Sequence, residues 1–219
     1  MAKNKKKRVA TTQKAPTAPK KSPRNIWIVA VLAVAAVAVF VALANGGSGD
    51  PASPASSKAE QDYAGRLLPA GYEAPKVADM IVYTKAIPMT DVGATQDASG
   101  FSIPLDPVVA NKIVRFDYQR PDGKTLPMIA YARPSGRLFV GVSYCPPCQG
   151  VGQRIEADGT LTCESCGTRR NLENNVGLSG ACKLYPLDEV PSTVAGDRIV
   201  VDSSVLDSWT AQPLDRPVG

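Results

Sequence analysis

Five cysteines are the residues of this chain whose types and spacing carry a distinct chemistry. Four form two pairs, Cys145-Pro-Pro-Cys148 and Cys163-Glu-Ser-Cys166, with fourteen residues between the pairs. Cys182 follows after a further fifteen, so all five lie in one stretch of 38 residues and the other 181 have none. Two close thiol pairs at this spacing can fold back as facing turns and offer four thiolates to one centre. Four sulfurs in a tetrahedron suit Zn²⁺, a single iron or an iron–sulfur cluster. The expected ligands are Cys145, Cys148, Cys163 and Cys166. Cys182 has three open readings: a substitute fifth ligand, a redox partner, or a buried thiol.

The absence of histidine is informative. It excludes Ser-His-Asp and Cys-His catalysis, His-ligated zinc or copper, a Rieske-type cluster and a covalent c-type haem. No catalytic set is expected, and a stand-alone enzyme is not indicated. Disulfides are one alternative use of the cysteines, but five is odd and leaves a thiol over. Cys-Pro-Pro-Cys is also a Cys-x-x-Cys redox pair, although the thioredoxin-like βαβ context is missing. A third alternative is structural zinc, which would staple a small loop-rich domain used for protein interaction.

The elements that must position these thiols read as β. Ala157-Asp-Gly-Thr160 is a hairpin turn signal between Gln153–Glu156 and Leu161–Thr162. That hairpin carries Cys148 out and Cys163 back. Gly167 permits a tight positive-φ turn after the second pair. In the first pair Pro146 and Pro147 remove two N–H groups, so fewer backbone donors are expected at its sulfurs. Upstream, Lys112–Tyr118, Leu126–Ala132 and Arg137–Val142 read as three strands joined by Arg120-Pro-Asp-Gly-Lys124 and Arg133-Pro-Ser-Gly136 turns. Gly196–Asp202 reads as another strand and Ser203–Trp209 as a short turn or helix. The expected fold is mainly β: a small antiparallel β domain over residues 101–219, with a Cys-x-x-Cys hairpin metal site.

The first hundred residues differ in kind. Residues 1–25 carry nine Lys/Arg and no acid, and the remainder carries 16 basic and 20 acidic residues. The positive charge thus belongs to a basic, disordered tail, and no nucleic-acid partner is expected. Ile26 to Ala44 is an unbroken run of 19 apolar residues. As a helix it spans about 28 Å, enough to cross a bilayer. Trp27 sits at its entry, and the basic excess before it predicts a cytoplasmic N-terminus with everything past about Asn45 extracytoplasmic. A signal peptide cleaved after Ala42-Leu-Ala44 is the competing reading. The length of the run favours a single-pass anchor in the cell membrane. Residues 45–100 read as a Gly/Pro/Ser/Ala linker followed by a poorly defined segment, in which Met80–Tyr83 is a candidate strand.

The run from Val140 to Pro186 resembles a known family. It shows Cys-x-x-Cys, a glycine-containing hairpin, Leu-Thr-Cys-x-x-Cys-Gly, then Gly-Ala-Cys and a following Pro-Leu. This resembles the FtrD-like, membrane-associated iron–sulfur proteins over about residues 101–209. The resemblance implies a membrane protein with a Cys-ligated metal or iron–sulfur site, some relatives being associated with iron uptake. The matching ligand positions are Cys145, Cys148, Cys163, Cys166 and Cys182. Ala181 stands where the family has a second glycine, and the proline after Cys182 is delayed to Pro186.

The expected function is therefore a membrane-anchored extracytoplasmic metal protein. Its cofactor would be an iron–sulfur cluster or mononuclear iron, with zinc as the alternative. It would serve electron transfer or iron handling beside a membrane transporter or redox partner protein. An iron–sulfur cluster meets one obstacle: clusters are usually assembled in the cytoplasm, and the tail has Lys7-Arg8 but no twin arginine for folded export. Arg169 and Arg170 either offset the charge of a four-thiolate site or are plain surface charge. Asp106, Asp117 and Asp122 are expected on a solvated face. Met80, Met89 and Met128 are expected in packing.

Overall fold

The computed structural model describes residues 65–98 and 100–215. The chain divides into two units, residues 1–49 and 50–219, and every described residue belongs to the second. The predicted basic tail, the predicted transmembrane helix at 26–44 and the linker to residue 62 lie outside the described residues. Among the described residues no helix is long and apolar enough to cross a membrane.

Three strands form the centre: β5 (Ile113–Gln119), β6 (Thr125–Ala132) and β7 (Leu138–Val142), paired antiparallel in sequence order. Successive side chains on a strand point to opposite faces. Val114, Phe116, Met128, Ala130, Leu138 and Val140 therefore fill one face, and Ile113, Ile129, Tyr131 and Phe139 the other. Both faces are buried along most of β6 and along β7, which is why those strands are apolar at nearly every position, whereas β5 alternates and keeps Asp117 and Gln119 exposed. The sheet is completed by β2 (Thr90–Asp91), parallel to β5, and β12 (Asp188–Glu189), antiparallel to β7.

A second sheet covers the first face. It contains β3 (Thr95–Asp97), β4 (Gly100–Pro104), β13 (Ser192–Ala195) and β14 (Arg198–Val201), in the order β13-β14-β4-β3. Phe101, Ile103, Ile199 and Val201 are its inward residues. Helix α1 (Leu105–Asn111) joins β4 to β5 and buries Val108. Lys112 caps it with φ 70°, so the central strand starts at Ile113, one residue later than the alternation predicts. Helix α2 (Ser203–Asp207) follows β14, its N-terminus capped by Asp202, whose carboxylate accepts from the Ser204 N–H.

The third sheet covers the opposite face and carries the cysteines. Its order is β1 (Ile87–Pro88), β8 (Gln153–Ile155), β9 (Thr160–Cys163), β10 (Arg169–Asn171), β11 (Gly177–Ser179). Ile155, Leu161 and Leu172 pack it onto the central sheet. The molecule is mainly β with antiparallel sheets and a cysteine cluster, as the sequence indicates. The segment before residue 101 contributes β1, β2 and β3 to all three sheets. Met80–Tyr83 is not a strand; Met80 and Val82 are exposed while Tyr83 turns inward.

Candidate metal centre

Each cysteine pair sits in the same local fold. In the first, the Cys145 carbonyl accepts from Gln149 N–H at 2.7 Å and the Cys145 N–H donates to Gly150 at 2.9 Å. In the second, the Cys163 carbonyl accepts from Gly167 N–H at 2.9 Å and the Cys163 N–H donates to Thr168 at 2.9 Å. Both knuckles turn on a positive-φ residue four positions after the first cysteine, Gly167 at 70° as expected and Gln149 at 56°. Gly150 has a different task. A Cβ there would lie 2.6 Å from Ser165 Oγ and 3.0 Å from Cys163 Sγ, so glycine lets the two knuckles touch.

The hairpin β8–β9 brings the knuckles together, and the loop after β11 adds Cys182. All five cysteines form one cluster, with Cys145, Cys163 and Cys182 buried and Cys148 and Cys166 partly exposed. The sulfurs of Cys145, Cys148, Cys166 and Cys182 lie within 4.8 Å of one another. Cys163 Sγ lies 3.9 Å from Cys148 Sγ. Four sulfurs bound to one ion at ~2.3 Å stand about 3.8 Å apart. The donor set therefore fits a thiolate-bound metal, and Cys182 belongs to a foursome whose sulfurs lie within 4.8 Å of one another.

The electrostatics of the cluster are uneven. Cys163 is lowered to about 4 by a hydrogen bond with Cys145 and, against its burial, by the N–H groups of Cys166 and Ser165. The same contact and burial push Cys145 far up. Burial pushes Cys148 up to about 11. Burial also opposes charge on Cys166, but the hydroxyl and N–H of Thr168 outweigh it and hold the thiol below its usual range. Thr168 is fully buried; its Oγ1 accepts from the Cys182 N–H at 3.1 Å and stands 3.3 Å from Cys166 Sγ. One hydroxyl thus links the late loop to the second knuckle.

The adjacent arginines separate. Arg169 faces outward and pairs with Asp158. Arg170 is fully buried and its Nη2 donates to the Tyr185 carbonyl at 2.9 Å and to Cys145 Sγ at 3.5 Å. Strand alternation explains the split: Arg170 opposes Leu161, which faces the core, while Arg169 opposes Thr162. The apolar Leu172, two residues after Arg170, is the signal in the sequence for which arginine faces in. Thr168 and Gly150 gave no such signal, because their roles depend on how the knuckles meet. The acidic residues stay apart from the cluster: Asp122 pairs with Arg120 and Lys124, and Asp106 lies in α1. Among the methionines, Met128 is core and Met89 Sδ accepts from the Gln153 N–H, but Met80 is exposed.

Residues 108–212 match the family described as "Membrane iron-sulfur containing protein FtrD-like". This segment is similar to that family. The match supports an iron–sulfur protein and covers both knuckles and Cys182. No curated protein matches the chain. Among solved structures, the plasma membrane Rieske protein PetC3 from Synechocystis PCC 6803 is 17% identical at a TM-score of 0.36, over 45% of this chain and 94% of that one. A ferredoxin of Sphingomonas yanoikuyae B1 is 16% identical at 0.29, over 36% of this chain and 76% of that one. Scores this low do not establish a shared fold.

Proposed function

We propose that this chain is a membrane-anchored, extracytoplasmic metal protein whose cysteine cluster holds an iron–sulfur centre or iron. It serves electron transfer or iron handling beside a membrane transporter or redox partner. The observation that carries this reading is the convergence of all five cysteines, from two matched knuckles and one loop, on a single partly buried cluster. The similarity of residues 108–212 to an iron–sulfur family supports the iron–sulfur centre. The apolar run at 26–44 and the basic residues before it support the anchor and its direction. Cys145, Cys148, Cys166 and either Cys163 or Cys182 would hold the metal, and bound iron would supply one-electron redox capacity. The chain's own part is to hold the thiolates together, shield three of the five sulfurs from water and neutralise their charge.

A second reading has its own support. A spread of no more than 4.8 Å among four sulfurs suits one tetrahedral ion, so mononuclear iron or structural zinc is the alternative. A thiol–disulfide oxidoreductase is disfavoured, since Cys145 and Cys148 sit in a β knuckle rather than at a helix N-terminus. The test is anaerobic purification of the full chain in detergent, with metal content, acid-labile sulfide and visible absorption. Iron with thiolate charge-transfer bands is the expected result. Zinc alone, with a featureless visible spectrum, would overturn the redox reading. For the anchor, the purified protein should keep its N-terminus near Met1; a start at Asn45 would refute it.

A further inference from the structure

Arg170 is a permanent cation with 0% exposure and no carboxylate partner among the described residues. Two of its guanidinium nitrogens meet the Tyr185 carbonyl, and one of these also meets Cys145 Sγ. The third, Nη1, is buried and has no hydrogen-bond partner among the described residues. Burying an uncompensated charge is costly, so such a group needs an anion close by. The sulfur cluster is the anion within reach.

The two knuckles show why the arginine stands at Cys145. In the second knuckle, the residues two and three positions after Cys163, Ser165 and Cys166, both carry a backbone N–H, and these favour the Cys163 thiolate. The residue two positions after Cys145 is Pro147, which has no N–H. One donor is therefore missing from the first knuckle, and Arg170 Nη2 stands 3.5 Å from the sulfur that lacks it. We propose that Arg170 is the internal counter-ion of the thiolate-bound metal, replacing the hydrogen bond that Pro147 withholds from Cys145 and favouring the more negatively charged state of the centre. This rests on the metal-binding reading above. Arg170 is a positioning residue: it acts through Cys145. A divalent ion held by four thiolates carries a net charge of about −2, and a guanidinium at its edge offsets part of it. In a redox-active metal the reduced state is the more negative, so the same cation raises the reduction potential.

The test is Co²⁺ titration of the full chain in detergent, followed by its thiolate charge-transfer absorption, for wild type, Arg170→Met, Arg170→Lys and Arg170→Met with Pro147→Ser. The expected loss of affinity in Arg170→Met is about ten- to a hundredfold. Arg170→Lys should recover part of it. Pro147→Ser should recover part in the Met background, because it restores the backbone N–H at an exposed position. The melting temperature of metal-free Arg170→Met should be unchanged or higher, since the variant removes an isolated buried charge. In iron-loaded protein the reduction potential should fall. Equal Co²⁺ affinity in wild type and Arg170→Met would overturn the proposal. So would a metal-free melting temperature that falls as far as that of the loaded protein, since a purely structural arginine would give that result. Absence of Co²⁺ binding by the wild type would overturn the metal reading itself.

Discussion

Single atoms decide how the thiols are held. Thr168 is the clearest case, since its hydroxyl accepts from the Cys182 N–H and stands 3.3 Å from Cys166 Sγ. A valine of the same shape would leave a buried N–H without an acceptor. Thr168→Val should cost about 1–3 kcal/mol in chemical unfolding of the metal-free chain. It should also weaken Co²⁺ binding by roughly tenfold or more, because it loosens Cys182 and removes a donor to Cys166. Thr168→Ser keeps the hydroxyl and should stay within about 1 kcal/mol. If Thr168→Val and Thr168→Ser bind Co²⁺ equally, the hydroxyl has no part in the site. The five cysteines and the missing histidine were legible at this scale because chemistry is a property of residue type. The separation of Arg169 from Arg170 was only half legible, because it needs the register of β10 against β9.

Elements decide which of those residues meet. The strands β5, β6, β7 and β14 and the β8–β9 hairpin were legible because apolar runs and turn residues mark them locally. The two-residue strands were not. β1 and β2 hold only Ile87, Pro88, Thr90 and Asp91, mostly exposed, and exist because longer strands offer them an edge. The Cys182 loop was likewise hidden, since its path is set by a backbone approach. A Cβ on Gly177 would lie 1.9 Å from the Lys183 carbonyl oxygen, so β11 passes directly against the chain that carries Cys182. Gly177→Ala has no flexible side chain to push aside. It should cost about 1–3 kcal/mol in urea unfolding and displace Cys182 from the cluster. The second effect separates it from a general loss of stability: in the folded, metal-free chain, Cys182 should react faster with a thiol reagent while Cys145 keeps its protection. Equal protection of Cys182 in variant and wild type would show that the approach is not needed to place it.

At the scale of the molecule, the cysteine sheet and the second sheet share one central sheet, and a single carboxylate fastens both ends of the described chain to its edge. Asp188 on β12 accepts two hydrogen bonds from Arg66 at 2.6 Å each, one from Trp209 Nε1 at 2.8 Å and one from Gln212 Nε2 at 2.9 Å. Its side chain is 4% exposed and that of Arg66 is 24% exposed, so the pair is only partly screened by water. Residue 66 lies at the start of the described chain and residues 209–212 near its end, so this contact ties the two ends together. Hydrogen bonds to a charged group contribute about 1.5–3 kcal/mol each, far more than an exposed ion pair. Asp188→Asn keeps the size but loses the charge and places an amide NH₂ where one of the donors now points. It should lower stability by about 2–4 kcal/mol. The loss should be local in its first expression. Limited proteolysis of the native chain should cut near residues 66 and 210 well before it cuts the β8–β9 hairpin, and the visible spectrum of the metal-loaded protein should be unchanged. Asp188 touches no cysteine, so a variant that loses the spectrum as readily as the termini would mean that terminal closure and metal site are one cooperative unit. Arg66→Gln should weaken both ends, because Arg66 Nη2 also donates to the Thr210 carbonyl at 2.6 Å, but the cut near residue 210 should stay slower than in Asp188→Asn, because Trp209 and Gln212 keep their hold on Asp188.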